Sequence, residues 1–145
     1  MSETAAVRAV QDRNCFVCGP GNPRGLRIVF ETPEPGRVRA NWTASEDWEG
    51  FQGVVHGGII STLLDEAMSK AVASMGWPAL TCELRVRLRR PTTRGDAVEA
   101  RGWVVERARR KIAAEASLCG PDGTERAHAW GAFLLVGGGP PPVTR

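Results

Sequence analysis

The stretch Gly53-Val-Val-His-Gly-Gly-Ile-Ile-Ser-Thr-Leu-Leu-Asp-Glu-Ala-Met68 decides how this chain is read. His56-Gly57-Gly58 is a turn that runs straight into apolar residues at helical spacing: Ile59, Ile60, Leu63, Leu64, Ala67, Met68, Ala71, Val72 and Met75. The spacing predicts a helix over 57–75, stopped by Gly76 and Pro78. Free N–H groups at a helix start can hold a developing oxyanion. Asp65, nine residues after the histidine, is a carboxylate able to act on water or on a carbonyl. Both parts of an acyl-transfer site therefore lie in one short segment.

Strands flank that helix. Leu26 to Thr32 and Arg37 to Thr43 read as two strands around the turn Pro33-Glu34-Pro35-Gly36. In the second, Val38, Ala40 and Trp42 share one face. After the helix come four more: Leu80 to Arg90, Asp96 to Arg107, Lys111 to Cys119 and Thr124 to Val136. In the first of these, Leu84, Val86 and Leu88 alternate with Arg85, Arg87 and Arg89. A helix with so many apolar positions needs a sheet to cover it. The expected architecture is α+β, an antiparallel sheet of about six strands curled around one long central helix. A single sheet leaves edges and a face to hide, so a homodimer or a homotetramer (a dimer of dimers) is expected. Residues 14–136 form the expected domain, between a mobile start over 1–13 and a disordered Gly/Pro-rich tail over 137–145.

Composition narrows the function classes. At 145 residues with a formal charge of +3, this is one domain with a modest basic balance. No apolar run reaches the length of a membrane span, and residues 1–13 hold no signal-peptide core, so no membrane partner and a cytoplasmic location are expected. The four cysteines are then read as free thiols. Cys15 and Cys18 form a C-x-x-C pair, but Cys82 and Cys119 lack the matching spacing for a second, and no metal is expected. Arginine stripes at 85–94 and 107–110 could serve nucleic acid, yet no aromatic stacking platform is interleaved with them and Tyr is absent, so no nucleic-acid partner is expected.

The residues also carry a family resemblance. The matching pieces are Cys15-Phe-Val-Cys-Gly19 with Asn22-Pro-Arg-Gly-Leu26, then Gly53-Val-Val-His-Gly-Gly58 with Leu64-Asp65, Thr81, Leu84-Arg-Val-Arg-Leu-Arg-Arg-Pro91, Gly95-Asp96, and Ala129-Trp-Gly-Ala-Phe133. Over about residues 14 to 136 the chain resembles hotdog-fold acyl-CoA thioesterases of the phenylacetate-pathway (PaaI-like) type. The resemblance implies hydrolysis of an acyl-CoA thioester without metal or bound cofactor. It implies an acid on the central helix of one subunit working opposite the helix start of its partner. Asp65 falls on that acid, as general base or as nucleophile. Gly57 falls on the oxyanion-binding amide, and Thr81 on a hydroxyl that helps hold the attacking water. Relatives carry Asn or Gln shortly before His-Gly-Gly; Gly50 takes the Asn position and Gln52 is a nearby substitute.

Other residues have two readings each. His56 is a candidate general base, or it shapes the turn through ring hydrogen bonds. Gly57 and Gly58 let a ligand approach the backbone. Glu66 is a second acid at the site, or the ion-pair partner of Lys70 at i, i+4. Met68 lines an acyl pocket with Trp48, Phe51 and Trp77, or packs in the core. Arg90, Arg109, Arg110 and Lys111 lie at strand ends, where they could converge on CoA phosphates. The rival reading is a non-catalytic hotdog protein that binds acyl-CoA or a small aromatic ligand.

Overall fold

The computed structural model describes residues 12–136; the expectations for 1–11 and for the tail over 137–145 lie outside the described residues. The elements are β1 (Glu31–Glu34), β2 (Arg37–Thr43), a 3-10 turn (Glu46–Trp48), α1 (Gly57–Ala73), β3 (Ala79–Leu88), β4 (Ala97–Ala108), β5 (Lys111–Cys119) and β6 (Glu125–Leu135). All six strands form one sheet in the order β1-β2-β4-β5-β6-β3, every pairing antiparallel. α1 packs against β2, β3, β4, β5 and β6. This is the hotdog fold expected from the sequence. Among the described residues no helix is long and apolar enough to cross a membrane.

The helix is central because its apolar stripe meets a face of small residues. Ile60, Leu63, Leu64, Ala67, Met68, Ala71 and Val72 are buried on α1. They meet Val38 and Ala40 of β2, Val98 and Ala100 of β4, Ile112, Ala114, Ala116 and Leu118 of β5, and Ala127, Ala129 and Phe133 of β6. A face so rich in alanine lets helix and sheet approach closely, which is where dispersion and burial accumulate. The closest approach is at Gly102 in β4, where an added Cβ would overlap the carbonyl of Ala67. Only Gly58 and Ala73 of the helix are exposed.

Two elements differ from the sequence reading. The first strand is not Leu26 to Thr32. Leu26 N–H donates to the Phe16 carbonyl and Ile28 N–H to that of Val17, so this segment pairs with the cysteine loop instead of the sheet. Arg27 between them has φ 55, which breaks an extended run. β1 starts only at Glu31. The helix stops at Ala73, two residues early: Ser74 caps it and Gly76 has φ 79, a conformation that favours glycine.

Because the Ala67 carbonyl cannot move without unwinding the helix, Gly102→Ala is expected to lower stability by at least about 1–3 kcal/mol through overpacking. A urea midpoint unchanged from wild type would show that the helix yields there without cost.

Candidate functional site

An α-helix leaves its first four N–H groups without intrahelical partners. In α1 these belong to the N-cap His56 and to Gly57, Gly58 and Ile59. His56 N–H donates to the Trp48 carbonyl and Ile59 N–H to the His56 carbonyl, each at 2.9 Å. Gly58 N–H donates to His56 Nδ1 at 2.8 Å. Gly57 N–H alone has no acceptor among the described residues. The helix dipole adds positive potential at the same point. His56 is thus the N-cap, the turn-shaping role of its two readings. The ring also fixes its surroundings: an added Cβ at Gly58 would lie 2.9 Å from His56 Nδ1, and one at Gly50 would lie 3.3 Å from His56 Cδ2. The histidine ring therefore borders the space beside Gly50, while Gln52 is exposed on the preceding turn.

Two cavities flank the Gly57 amide. One of about 460 Å³ is lined by Gly50, Phe51, Val54, Val55, His56 and Gly57. The other, of about 240 Å³, includes Gly57, Ile60, Leu88 and Arg90. Arg90 therefore stands beside the helix start.

Asp65 lies two turns further along α1, half-buried. Thr81 Oγ1 donates to Asp65 Oδ1 at 2.7 Å. The structure thus brings together the two residues sixteen positions apart that the sequence pairs. Burial pushes the Asp65 carboxyl above the usual carboxylate range, and the Thr81 hydroxyl offsets part of that by stabilising the anion. β3, which carries Thr81, is the edge strand, and Leu80, Leu84 and Leu88 are exposed along it.

Several candidates sit elsewhere. Met68 is fully buried against the sheet and packs in the core. Glu66 does not pair with Lys70. Its Oε1 accepts from Cys18 Sγ at 3.0 Å, while Lys70 turns to Asp12. The i, i+4 pairing fails because the loop carrying Asp12, Cys15 and Cys18 lies over this side of the helix and offers nearer partners. Arg109 and Arg110 form the β4–β5 turn, and Lys111 opens β5. Lys111 pairs with Leu134, and Arg110 donates to the Leu135 carbonyl, next to the start of β3 at Ala79. That is the opposite end of α1 from Gly57, so within one chain this turn and Arg90 do not converge. Hairpin geometry decided this, and residue spacing alone could not show it.

Taken together, the helix–sheet layers, the open amide at the helix start and the carboxylate held at the sheet edge define a hotdog thioesterase architecture. The chain belongs to the thioesterase superfamily, whose family model matches residues 52–127. A crystal structure of a thioesterase superfamily protein is similar at 30% identity and a TM-score of 0.80, over 84% of this chain and 63% of that one. This chain thus spans less than two thirds of that relative's length. The phenylacetic acid degradation protein PaaI of Thermus thermophilus, as an Asn-to-Asp mutant, is 26% identical with a TM-score of 0.71, over 77% of this chain and 95% of that one. A hypothetical thioesterase of Streptococcus pneumoniae, solved with coenzyme A, is 19% identical with a TM-score of 0.72, over 76% and 86%. Mutant structures of that pneumococcal protein replace a threonine and an aspartate by alanine, sixteen residues apart. Among curated proteins none matches the chain.

The raised pKa of Asp65 has a sign for stability. The folded state holds the Asp65 proton more tightly than the unfolded chain. Ionised Asp65 therefore costs stability, from nothing below the unfolded value of about 3.9 to its full amount above the folded one. Asp65→Asn keeps an acceptor for Thr81 and removes the desolvated charge. It is expected to raise Tm at neutral pH, with the gap to wild type closing near pH 3. A variant that melts lower at neutral pH would show that the carboxylate is stabilised by its surroundings.

Proposed function

We propose that the chain hydrolyses acyl-CoA thioesters to the free acid and CoA. The observation that carries this reading is the division of the four first-turn amides: three are taken and the one left open, Gly57, borders both cavities. An amide donor aimed at the thioester oxygen is matched to the charge that develops there during acyl transfer. Family membership supports the same chemistry, and coenzyme A bound by the pneumococcal protein supports the substrate class.

In this mechanism Asp65 acts as general base. It takes a proton from water as the water oxygen bonds to the carbonyl carbon. The oxyanion of the tetrahedral intermediate rests on Gly57 N–H. When the intermediate collapses the C–S bond breaks, the CoA sulfur leaves, and Asp65 returns the proton to it. Thr81 holds Oδ1 of Asp65 and leaves Oδ2 to face the water. The sixteen-residue aspartate–threonine separation in the pneumococcal mutants supports this pairing. His56 is a positioning residue: by accepting from Gly58 it keeps the neighbouring amide of Gly57 as the open donor. Arg90 meets the phosphates of CoA.

The site belongs to two copies of the chain. Eight residues of helix separate Gly57 from Asp65, about 12 Å along the axis, too far to act on one carbonyl. A two-fold contact through the exposed leucines of the β3 edge brings the Asp65 of one copy toward the Gly57 of the other.

Thiol release across a panel of acyl-CoAs tests the activity; binding without release across the panel would sink it in favour of the binding-module reading. Asp65→Asn should lower kcat by about 10²–10⁴-fold. Thr81→Ala should lower kcat by about 10–100-fold with little change in KM, while Thr81→Ser keeps most activity. Losing the hydroxyl also removes a bond to the anion, so the acid limb of the Thr81→Ala pH profile should move to higher pH. An unmoved limb would place Thr81 in the fold alone.

The composite site has its own test. Gly57→Pro removes the N–H at a helix position that tolerates proline. Gly57→Pro and Asp65→Asn proteins should each be inactive. After subunit exchange an equal mixture should recover about a quarter of wild-type activity, since half the dimers are mixed and each has one intact site. No recovery despite demonstrated exchange would confine the site to one chain.

A further inference from the structure

The thioester site does not use the loop that packs against the opposite side of Glu66. Its turn is tightly built. Gly19 N–H donates to the Cys15 carbonyl at 2.8 Å, and Val17 N–H points at Cys15 Sγ at 3.4 Å. A Cβ at Gly19 would lie 2.5 Å from backbone atoms of Arg13 and Cys15, so this turn requires glycine. Val17, Leu26 and Ile28 bury in the core and hold the loop against it. The turn therefore presents Cys15 and Cys18 in a fixed arrangement.

Facing them is Glu66, which comes from α1, 48 residues after Cys18. Its Oε1 lies 3.0 Å from Cys18 Sγ and 3.8 Å from Cys15 Sγ. All three ligand atoms fall within 4.8 Å of one another. Asp12 Oδ2 lies 3.2 Å from Cys18 Sγ. A tetrahedral zinc ion with Zn–S of about 2.3 Å and Zn–O of about 2.0–2.2 Å separates its ligand atoms by roughly 3.3–3.8 Å. The 3.8 Å separation falls in that range, and the 3.0 and 3.2 Å separations lie slightly below it.

The cluster is poorly balanced as a set of ordinary hydrogen bonds. One Cys18 thiol proton faces carboxylate oxygens of both Glu66 and Asp12 and can satisfy only one at a time. Lys70, paired with Asp12, is the one cation in contact with the group among the described residues. Two thiolates with carboxylate oxygen suit a borderline-soft ion and disfavour magnesium or calcium.

We propose that Cys15, Cys18 and Glu66 bind one zinc ion, with Asp12 beside the fourth position. The sequence argued against a metal because no second C-x-x-C exists; the fold supplies the missing ligand from the helix. Zinc displaces the two thiol protons to solvent, so affinity rises with pH. The ion fastens the N-terminal loop to α1 at the residue next to Asp65. Its role is structural, and it holds regardless of whether the protein hydrolyses thioesters.

The test is metal content of the full-length protein purified under reducing conditions without chelator. About one zinc per chain is expected. Cobalt exchanged into the site should show thiolate-to-cobalt charge-transfer absorption. Glu66→Gln should weaken zinc at least tenfold in competition with a chromophoric chelator, and Asp12→Asn should weaken it less. Removing the metal from wild-type protein should lower Tm, and zinc should restore it. The proposal is overturned if the wild-type protein is metal-free and neither takes up zinc against the chelator nor gives the cobalt band. A Cys15–Cys18 disulfide persisting in the reduced preparation would overturn it equally. The wild-type measurements decide the matter even if the cysteine variants fail to fold.

Discussion

The close seating of α1 on an alanine-rich sheet face is the contact on which the rest of this molecule depends. Gly102 under the Ala67 carbonyl sets the distance, and Ala100, Ala114, Ala116 and Ala129 keep neighbouring strands from pushing the helix away. Larger side chains would bury more area each but would lift the helix and open voids, which packing at crystal-like density does not tolerate. A helix held this deep has almost no solvent face. Its polar positions cannot escape to water, so each must find a partner or carry a desolvation cost. Asp65 finds Thr81, Glu66 finds the cysteine loop, and Lys70 finds Asp12.

At the helix start, local partners set what the first amides can do. A helix ending in open water would have its first amides hydrated, and a donor already bonded to water contributes little to a developing charge. Here the Trp48 carbonyl, the His56 carbonyl and the His56 ring nitrogen take three of the four amides. The remaining amide sits between walls made by Val54, Val55 and Leu88. One donor is left available in a partly apolar recess, where electrostatic stabilisation counts for more than in bulk water.

Much of this was legible in the sequence, and for identifiable reasons. The 3.6-residue spacing of α1 and the alternation in β2 are strong local patterns, and the structure follows them, whereas the alternation read in β3 meets an edge strand whose Leu84 and Leu88 are exposed. The pairing of Asp65 with Thr81 was also readable, since Gly76 and Pro78 force the chain back along the helix. What escaped reading depends on contacts between distant segments. Leu26 to Thr32 has strand composition, but its amides are claimed by the cysteine loop, and Arg27 at φ 55 is invisible to a pattern of apolar residues. Glu66 and Lys70 satisfy the i, i+4 rule, yet a loop more than forty residues away outbids that weak pair, which is worth only about 0.2–0.5 kcal/mol. Arg109 to Lys111 sit at a strand end, but strand ends occur at both ends of the helix, and only the hairpin pairings tell which.

Asp65 and Glu66 show how one buried helix can serve two tasks. Successive helical residues point about 100° apart, so adjacent acids reach opposite neighbours. One meets the edge strand β3, the other the cysteine loop. Because α1 is pinned by the sheet beneath it, a movement of either side chain cannot be absorbed by rotating the helix. The position of the Asp65 carboxylate is therefore set jointly by the sheet, by the edge strand and by the loop that grips the next residue. Under the proposed mechanism such a base has little tolerance for error, since misplacement by about 1 Å costs on the order of 10²-fold in rate. Fastening Glu66 to a built turn removes one freedom from the helix turn that carries Asp65.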